Sequence, residues 1–560
     1  VSAAVSDSML NVVKRPSRTV YDYIIIGSGS AGSTLAARLA ADSTKSVLLV
    51  EAGPSDRNIF IQMPAGLGIP LVQDRYNWKL FAEKEDFAVS EAGVYMPRGR
   101  VLGGSSSVNG MNWVRGNRAD YDRWSDSGLS NWSYAHCLPY FKRSERYEYG
   151  DPVYRGRSGP TKVVKTEVTN PLFQSFLQAS REYGLDLNPD HNAARQDGAH
   201  ETQRNVAGGL RHSSSQAYLY DQPNRANLDI LLETRCTNIE FSGGDAVRIH
   251  LSRRGESFHV DIAGEAILSA GAIHSPQLLM LSGIGNADML TQHGIAMQQH
   301  LPGVGENLQD HPAWCFDYAA TNPRDSLASS LGRFGRIKVG ADWLLRKRGL
   351  GISNHFEVGA FMSLLEGGTL PDVQLECIAM RGDFSHEGIK LDPGYQCFAS
   401  VQRPTSRGRL WIHSASPSAA PKFRFNYLST DYDRAVAIAA VRGNRELFQQ
   451  PAWDGRLSRE LSGSEELECD REIMQWLYTH LESNYHPCGT CSMGMDDKAV
   501  TDGKGRVHGF NNLRVVDASI IPSIPTGNLN AVVIMLAEKI ADDILGLPPL
   551  APEHPTIDAL

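Results

Sequence analysis

The stretch that decides the fold is YDYIIIGSGSAG, residues 21–32, near the amino terminus. Its first half is short, apolar and rich in isoleucine, which predicts a buried strand. The second half begins at Gly27 and has the spacing G-x-G-x-x-G. The Ala- and Leu-rich residues 33–41 then predict a helix. In such a unit the glycines allow a tight turn, close approach of the backbone to a pyrophosphate, and close packing of helix on strand.

A second predicted strand, residues 46–50, ends in Glu51. An acid at this distance from the glycine turn can accept hydrogen bonds from a ribose, and the free N–H groups at the start of the helix can bind phosphates. The unit therefore predicts an adenine dinucleotide site, the alternative being a glycine turn that binds no ligand. Asp22 and the Glu-Ala-Gly end of the second strand favour a flavin. We expect this part of the site to contain Gly27, Ser28, Gly29, Ser30, Ala31, Gly32, Glu51 and Ala52.

A second glycine- and serine-rich segment, RGRVLGGSSSVNG, occupies residues 98–110. Such a run supplies many N–H donors and allows close backbone approach, which suits a second wall around a large cofactor. The alternative is a flexible linker. A linker would be more polar and less punctuated by Val and Leu, so we favour the cofactor wall.

Composition excludes several classes of protein. The 560 residues are 41% hydrophobic and 21% charged, as expected of a globular enzyme rather than a disordered chain. The net charge of −8 offers no basic excess for nucleic acid. No apolar run reaches the roughly 18 residues of a membrane-spanning helix, and no His, Cys or Asp spacing predicts a metal site. The scattered cysteines favour an intracellular compartment, either an organelle or the cytoplasm, with any targeting segment removed before Val1.

Five ordered stretches resemble the glucose–methanol–choline (GMC) flavoprotein oxidoreductases. They cover residues 27–32, 99–110, 271–285, 486–494 and 513–530. The resemblance runs from about residue 20 to residue 547. It is nearest to the choline dehydrogenase branch, as the segments SNHFE, residues 353–357, and HPCGTC, residues 486–491, indicate.

The resemblance implies a mixed α/β (α+β) fold. A Rossmann-like FAD-binding lobe would be interleaved with a substrate lobe built on an antiparallel sheet with helices. The FAD-binding lobe would comprise residues 20–154, 212–315 and 500–547. The substrate lobe would comprise residues 155–211 and 316–499, and residues 548–560 would form a tail.

The resemblance also implies FAD as the cofactor. Val108 occupies the position at which some choline oxidases carry a histidine bound covalently to FAD, so we expect non-covalent FAD. Gly110 replaces a serine that those oxidases use beside the substrate. The further cofactor residues that we expect are Arg98, Val101, Gly103, Gly104, Ser105, Asn109, Gly110, Met111, Ala270, Gly271, Asp517, Ala518 and Asn528.

Oxidation of a primary alcohol to an aldehyde removes a hydroxyl proton and a hydride, and flavin N5 can take the hydride. A histidine suits the proton, because its pKa lies near working pH. His486 matches the family's catalytic histidine, and Asn530 falls where the family places the second residue of the pair. The alternative for Asn530 is a cap on a helix that starts near Ala531. We expect His311 to have a cofactor-side or structural role.

The substrate position is assigned to Glu357, His355, Tyr485 and Trp78. A choline-like cation would be held by a carboxylate and aromatic rings, and Glu357 matches the carboxylate of choline-oxidising relatives. Glu357 is equally open to a structural role, and His355 to catalysis or to holding Glu357.

A flavin-dependent lyase on the same fold, either a light-driven fatty-acid decarboxylase or a hydroxynitrile lyase, is the alternative function. A decarboxylase would need an arginine for the carboxylate, and Arg403 is the candidate. The expected partners are a small-molecule alcohol and an electron acceptor, which is oxygen, a quinone or another compound. A homodimer stays open.

Overall fold

The computed structural model describes residues 10–87, 93–223, 225–385 and 388–555. In these residues two seven-stranded sheets form the centre of the molecule. Their strands, in chain order, are β1 (Val20–Ile26), β2 (Val47–Val50), β3 (Gly198–Glu201), β4 (Leu228–Leu231), β5 (Arg235–Ser242), β6 (Asp245–Arg253), β7 (Glu256–Leu268), β8 (Pro312–Ala320), β9 (Phe356–Met362), β10 (Val373–Ile378), β11 (Tyr395–Val401), β12 (Leu457–Glu460), β13 (Glu482–Ser483) and β14 (Leu513–Val515).

Helices cover these sheets. Those of nine or more residues in the described ranges are α1 (Ser30–Leu39), α2 (Arg118–Asp126), α3 (Tyr134–Ser144), α4 (Pro171–Tyr183), α5 (Gly271–Leu281), α6 (Arg333–Arg346), α7 (Asp431–Phe448), α8 (Asp470–Thr479) and α9 (Asn530–Ile544). Across the described ranges, none of the helices has both the length and the apolar character that crossing a membrane requires.

The first sheet has the strand order β4-β2-β1-β7-β6-β5, and β14 also pairs with β7. Strands β4, β2, β1 and β14 and the carboxyl-terminal part of β7 are parallel. Ile24, Ile25 and Ile26 of β1 are buried, as expected for a parallel strand covered on both faces. The predicted Rossmann-like sheet is confirmed. Its central strand is β1, the strand predicted before the glycine turn at Gly27.

The glycine turn after β1 has the tight geometry that its sequence predicts. Gly27 has a φ of +101°, a conformation that glycine adopts without strain. A Cβ atom on Gly32 would lie 1.8 Å from the carbonyl oxygen of Gly27. Helix α1 can therefore start this close to β1 only if residue 32 lacks a side chain.

The second sheet is antiparallel, with the order β12-β8-β11-β10-β9-β3, and β13 also pairs with β8. Its strands come from residues 198–201, 312–401 and 457–483, so they interleave along the chain with those of the first sheet. The mixed α/β class is confirmed. The predicted boundaries between the two lobes stay a prediction. Strand β8 spans residue 315, where one of these boundaries was placed.

Candidate active site

A cavity of about 1050 Å³ is lined by residues from both seven-stranded sheets and from the loops around them. One part of its lining, here called the glycine part, comes from the turn after β1 and the end of β2. Another part, here called the histidine part, contains His486 and Asn528 together with residues of β10. The volume is at the upper end of the range for small-molecule sites, which leaves room for a large cofactor and a small substrate together.

Most of the expected cofactor residues line this cavity. They are Gly27, Gly29, Ser30, Ala31, Glu51, Ala52, Arg98, Gly104, Ser105, Asn109, Gly110, Met111, Ala270, Gly271, Asp517, Ala518 and Asn528. Ser28, Gly32, Val101 and Gly103 do not line it. Gly32 is needed for helix packing, and Val101 is buried in a small apolar cluster with Ile61, Tyr76 and Val108.

The glycine part fits a dinucleotide. A Cβ atom on Gly29 would meet no atom of the chain within 4 Å, so the backbone there is open, as the close approach of a pyrophosphate requires. Gly104, from the second glycine-rich segment, packs against Gly29. A Cβ atom on Gly104 would lie 2.7 Å from the Gly29 Cα. The buried Nδ2 of Asn530 also has no protein partner and can donate to a ligand.

Glu51 holds the glycine turn in place. Its carboxylate accepts from the Ser28 hydroxyl at 2.6 Å and from the Gly53 N–H at 2.7 Å. Burial raises the pKa of Glu51, while the bonds from Ser28 and Gly53 lower it. The expected ribose acceptor therefore also orders the turn.

The backbone of His486 is anchored by Asp310. The His486 N–H donates to Asp310 Oδ1 at 2.7 Å, and the other carboxylate oxygen accepts from the Tyr427 and Ser483 hydroxyls. Burial raises the pKa of Asp310 to about 6. These bonds fix the turn that presents the His486 ring to the cavity.

The His486 ring contacts a second histidine. Its Nδ1 lies 3.0 Å from Nδ1 of His311, the residue expected to have a cofactor-side or structural role. Burial, followed by the charges of His311 and Arg98, lowers the pKa of His486 well below its usual value. Burial also lowers the pKa of His311 to about 3. Both rings are therefore neutral near pH 7, and each keeps one unprotonated nitrogen.

The structure places Asn528, and not Asn530, beside His486. Asn528 Nδ2 is 3.3 Å from Nε2 of His486. Asn530 is the first residue of α9, and its Oδ1 accepts from the Ser30 hydroxyl at 2.7 Å. The expected role of Asn530 as the second residue of the pair stays a prediction, because Asn530 lines the same cavity and its Nδ2 has no hydrogen-bond partner among the described residues. The start of α9 directs its Oδ1 towards the first turn of α1.

Three of the expected substrate residues line the cavity. Tyr485 precedes His486, and its carbonyl accepts from Arg98 at 2.9 Å. His355 Nε2 lies 3.2 Å from the Ala65 carbonyl, and burial lowers the His355 pKa to about 4. Trp78 packs on His274 of α5, with 4.4 Å between ring centroids, and the guanidinium groups of Arg235 and Arg100 lie 4.9 Å and 5.4 Å from its ring.

Glu357 and Arg403 do not line the cavity. Glu357 accepts from the Ser353 hydroxyl at 2.6 Å. Arg403 donates to Asp120 at 3.0 Å and to Thr526 at 3.2 Å. Their expected substrate contacts stay a prediction that this cavity lining does not support, since both side chains bind protein partners instead. The decarboxylase alternative loses its candidate arginine with Arg403.

Glu376 was not predicted as a site residue from the sequence. It is a carboxylate of β10 that lines the cavity and is 5% exposed. It accepts from Asn112 Nδ2 at 2.6 Å and from Asn484 Nδ2 at 3.1 Å. Gln374 and Glu376 stand two residues apart in an otherwise apolar strand, so they share one face. In the sequence, this pair of polar residues within a buried strand is the feature that could have indicated a site residue.

The chain matches the sequence models of the two parts of GMC oxidoreductases, over residues 21–313 and residues 404–537. It is 41% identical to an oxygen-dependent choline dehydrogenase of Photobacterium profundum, over 96% of this chain and 95% of the relative. It is 42% identical to the enzyme of the same name from Sinorhizobium medicae, over 95% and 96%.

Solved structures show the same architecture. A pyridoxine 4-oxidase from Mesorbium loti has a TM-score of 0.83 at 30% identity, covering 93% of this chain and 99% of that one. A formate oxidase from Aspergillus oryzae has a TM-score of 0.89 at 26% identity, covering 95% and 99%.

Proposed function

The chain belongs to the GMC oxidoreductase family and is an FAD-dependent alcohol oxidoreductase, and we propose that it oxidises a choline-like primary alcohol to the aldehyde with His486 as the base. The single observation that carries the base assignment is the neutral, buried His486 ring, which lines the same cavity as the dinucleotide turn. FAD, when bound, supplies the acceptor for the hydride.

The residues of the histidine part would remove the hydroxyl proton and exclude water. His486 Nε2 would take the hydroxyl proton of the substrate, whose hydroxyl would replace the Asn528 amide as the donor to this nitrogen. The aldehyde forms when the carbon loses its hydride, so the alcohol loses two electrons and two hydrogens in total. The buried surroundings would exclude water from the reacting atoms.

A cationic substrate is supported by the charge of the lining. Among the described lining residues between 315 and 487, the carboxylates Asp317, Glu376 and Glu482 are present, with neither Lys nor Arg; Asp317 is paired with Arg381, and Arg98 lines the cavity from outside this range. The rings of Tyr485 and Phe398 line the same region and can face an ammonium group. The named relatives are choline dehydrogenases described as oxygen-dependent, which favours choline as the alcohol and oxygen as the electron acceptor.

An anaerobic substrate screen tests this proposal. The flavin-loaded protein is mixed with choline or with its uncharged carbon isostere, in which a tert-butyl group replaces the trimethylammonium group. We expect choline to abolish the visible flavin absorbance at a lower concentration than the isostere. Equal potency would refute recognition of the cation. No loss of absorbance with any primary alcohol would refute the proposed reaction itself.

A further inference from the structure

Glu376 is a buried carboxylate without a cation. In the described part of the chain it forms no ion pair. Its hydrogen-bond donors are side-chain amides: Asn112 Nδ2 at 2.6 Å and Asn528 Nδ2 at 3.3 Å to Oε1, and Asn484 Nδ2 at 3.1 Å to Oε2. Burying a carboxylate costs free energy unless it is paired or well hydrogen-bonded. Three amide donors at the edge of the active site therefore call for a functional explanation.

The carboxylate fixes which way the Asn528 amide points. A carboxylate can only accept hydrogen bonds, so Asn528 must turn its NH2 group towards Glu376. The amide oxygen on the other side accepts from Gln374 Nε2 at 3.2 Å, which agrees with this orientation. Gln374 and Glu376 lie on the same face of β10, so one strand sets both ends of the amide.

The amide orientation in turn fixes the proton of His486. The NH2 group of Asn528 that faces Glu376 also lies 3.3 Å from His486 Nε2. Because an NH2 group can only donate, Nε2 must be the unprotonated nitrogen of the neutral ring. The ring proton then lies on Nδ1 and is donated to His311 Nδ1, 3.0 Å away.

We propose that Glu376 is a positioning residue that acts through Asn528 to keep Nε2 of His486 unprotonated, so that the substrate hydroxyl can replace the Asn528 amide as the donor to this nitrogen. The inference rests on the proposed function, since the lone pair matters only if His486 is the base. Glu376 need not touch the substrate to have this effect.

The substitution Glu376→Gln tests the inference, because glutamine keeps the size of the side chain and removes the obligatory acceptor. The Asn528 amide can then turn its oxygen towards His486 and draw the ring proton to Nε2. We expect flavin reduction at saturating alcohol to slow by about tenfold to hundredfold, with bound FAD and the concentration for half-saturation little changed. Glu376→Asp, which keeps the charge, should recover part of the rate.

A double-substitution cycle separates positioning from general structural support. If Glu376 acts through Asn528, Glu376→Gln should slow flavin reduction much less in an Asn528→Ala background than in the wild type. Additive effects in the cycle would overturn the inference. The control is Glu460→Gln at the end of β12, a buried carboxylate that accepts from the Ser464 hydroxyl at 3.0 Å and does not line the cavity, and it should change the rate by less than about threefold.

A second variant covers the case in which Glu376→Gln does not fold. Gln374→Met removes the donor to the Asn528 oxygen, while Glu376 keeps its charge. We expect a loss of rate of about threefold to tenfold, again without loss of FAD. A wild-type rate in Gln374→Met, or in a folded Glu376→Gln, overturns the inference alone. A wild-type enzyme that no alcohol reduces overturns the proposed function, and the inference with it.

Discussion

The glycine part and the histidine part of the cavity are built in different ways. The glycine part is made of backbone that follows β1 and β2 within one stretch of chain, and its conformation depends on absent side chains. The histidine part is made of side chains from four distant positions, Asn112, Glu376, His486 and Asn528, joined by hydrogen bonds. Cofactor binding should therefore be sensitive to added atoms, and catalysis to the orientation of amides and rings.

The largest expected effect is in the glycine part. Gly32→Ala would place a Cβ atom 1.8 Å from the Gly27 carbonyl oxygen, so α1 must move away from β1. We expect destabilisation by about 3 kcal/mol and loss of bound FAD, measured by chemical denaturation and by the flavin-to-protein absorbance ratio. The control is Gly340→Ala in α6, where a Cβ atom meets nothing within 4 Å. FAD-loaded Gly32→Ala with wild-type stability would contradict the account of this turn.

The next effect distinguishes the two asparagines at the junction of the two parts. Asn528→Ala removes the amide beside His486 and should slow anaerobic flavin reduction by about a hundredfold. Asn530→Ala removes the acceptor of the Ser30 hydroxyl and should mainly weaken FAD retention, with a rate per bound flavin within about threefold. If the two variants exchanged these effects, Asn530 and not Asn528 would be the partner of His486 in catalysis.

A smaller effect is expected outside both parts. Arg403→Ala breaks a buried pair with Asp120, which still accepts from the backbone N–H groups of Asn117 and Thr526. We expect about 2 kcal/mol less stability in denaturant unfolding, with an unchanged KM for the alcohol. The matched control Arg424→Ala removes a more exposed pair with Asp86 and should cost less than about 1 kcal/mol. A large rise in KM for Arg403→Ala would instead indicate that Arg403 contacts the substrate.

The effect that is smallest near neutral pH, and that grows only as the pH falls, is a pH dependence of stability. His355 has a folded pKa of about 4, below its value in the unfolded chain, so the unfolded state binds more protons between these values. Stability should therefore fall as the pH drops from about 6.5 towards 4, by up to about 1.4 kcal/mol per pH unit for this one group. His355→Gln should make the measured slope shallower by that amount, whereas His413→Gln, at an exposed position, should not. Equal slopes in wild type and His355→Gln would contradict the burial of a neutral ring.

The difference between the two parts also explains what the sequence could predict. Residues 21–51 carry the glycine part as a local pattern, so the strand, turn, helix and acid were all predicted correctly. The histidine part depends on contacts between distant residues, which spacing along the chain does not encode. Asn528 and Asn530 differ by only two positions, and the start of α9 decides which one faces His486. Glu357 and Glu376 are both acids on neighbouring strands, and only their side-chain contacts show which one lines the cavity.

The most direct test of the central claim is the single-turnover rate of flavin reduction by a saturating primary alcohol without oxygen, in wild type and His486→Ala. The account predicts that the variant retains FAD and is reduced about a hundredfold to ten-thousandfold more slowly, because it lacks the base. The same rate in both proteins, at equal flavin content, would contradict it.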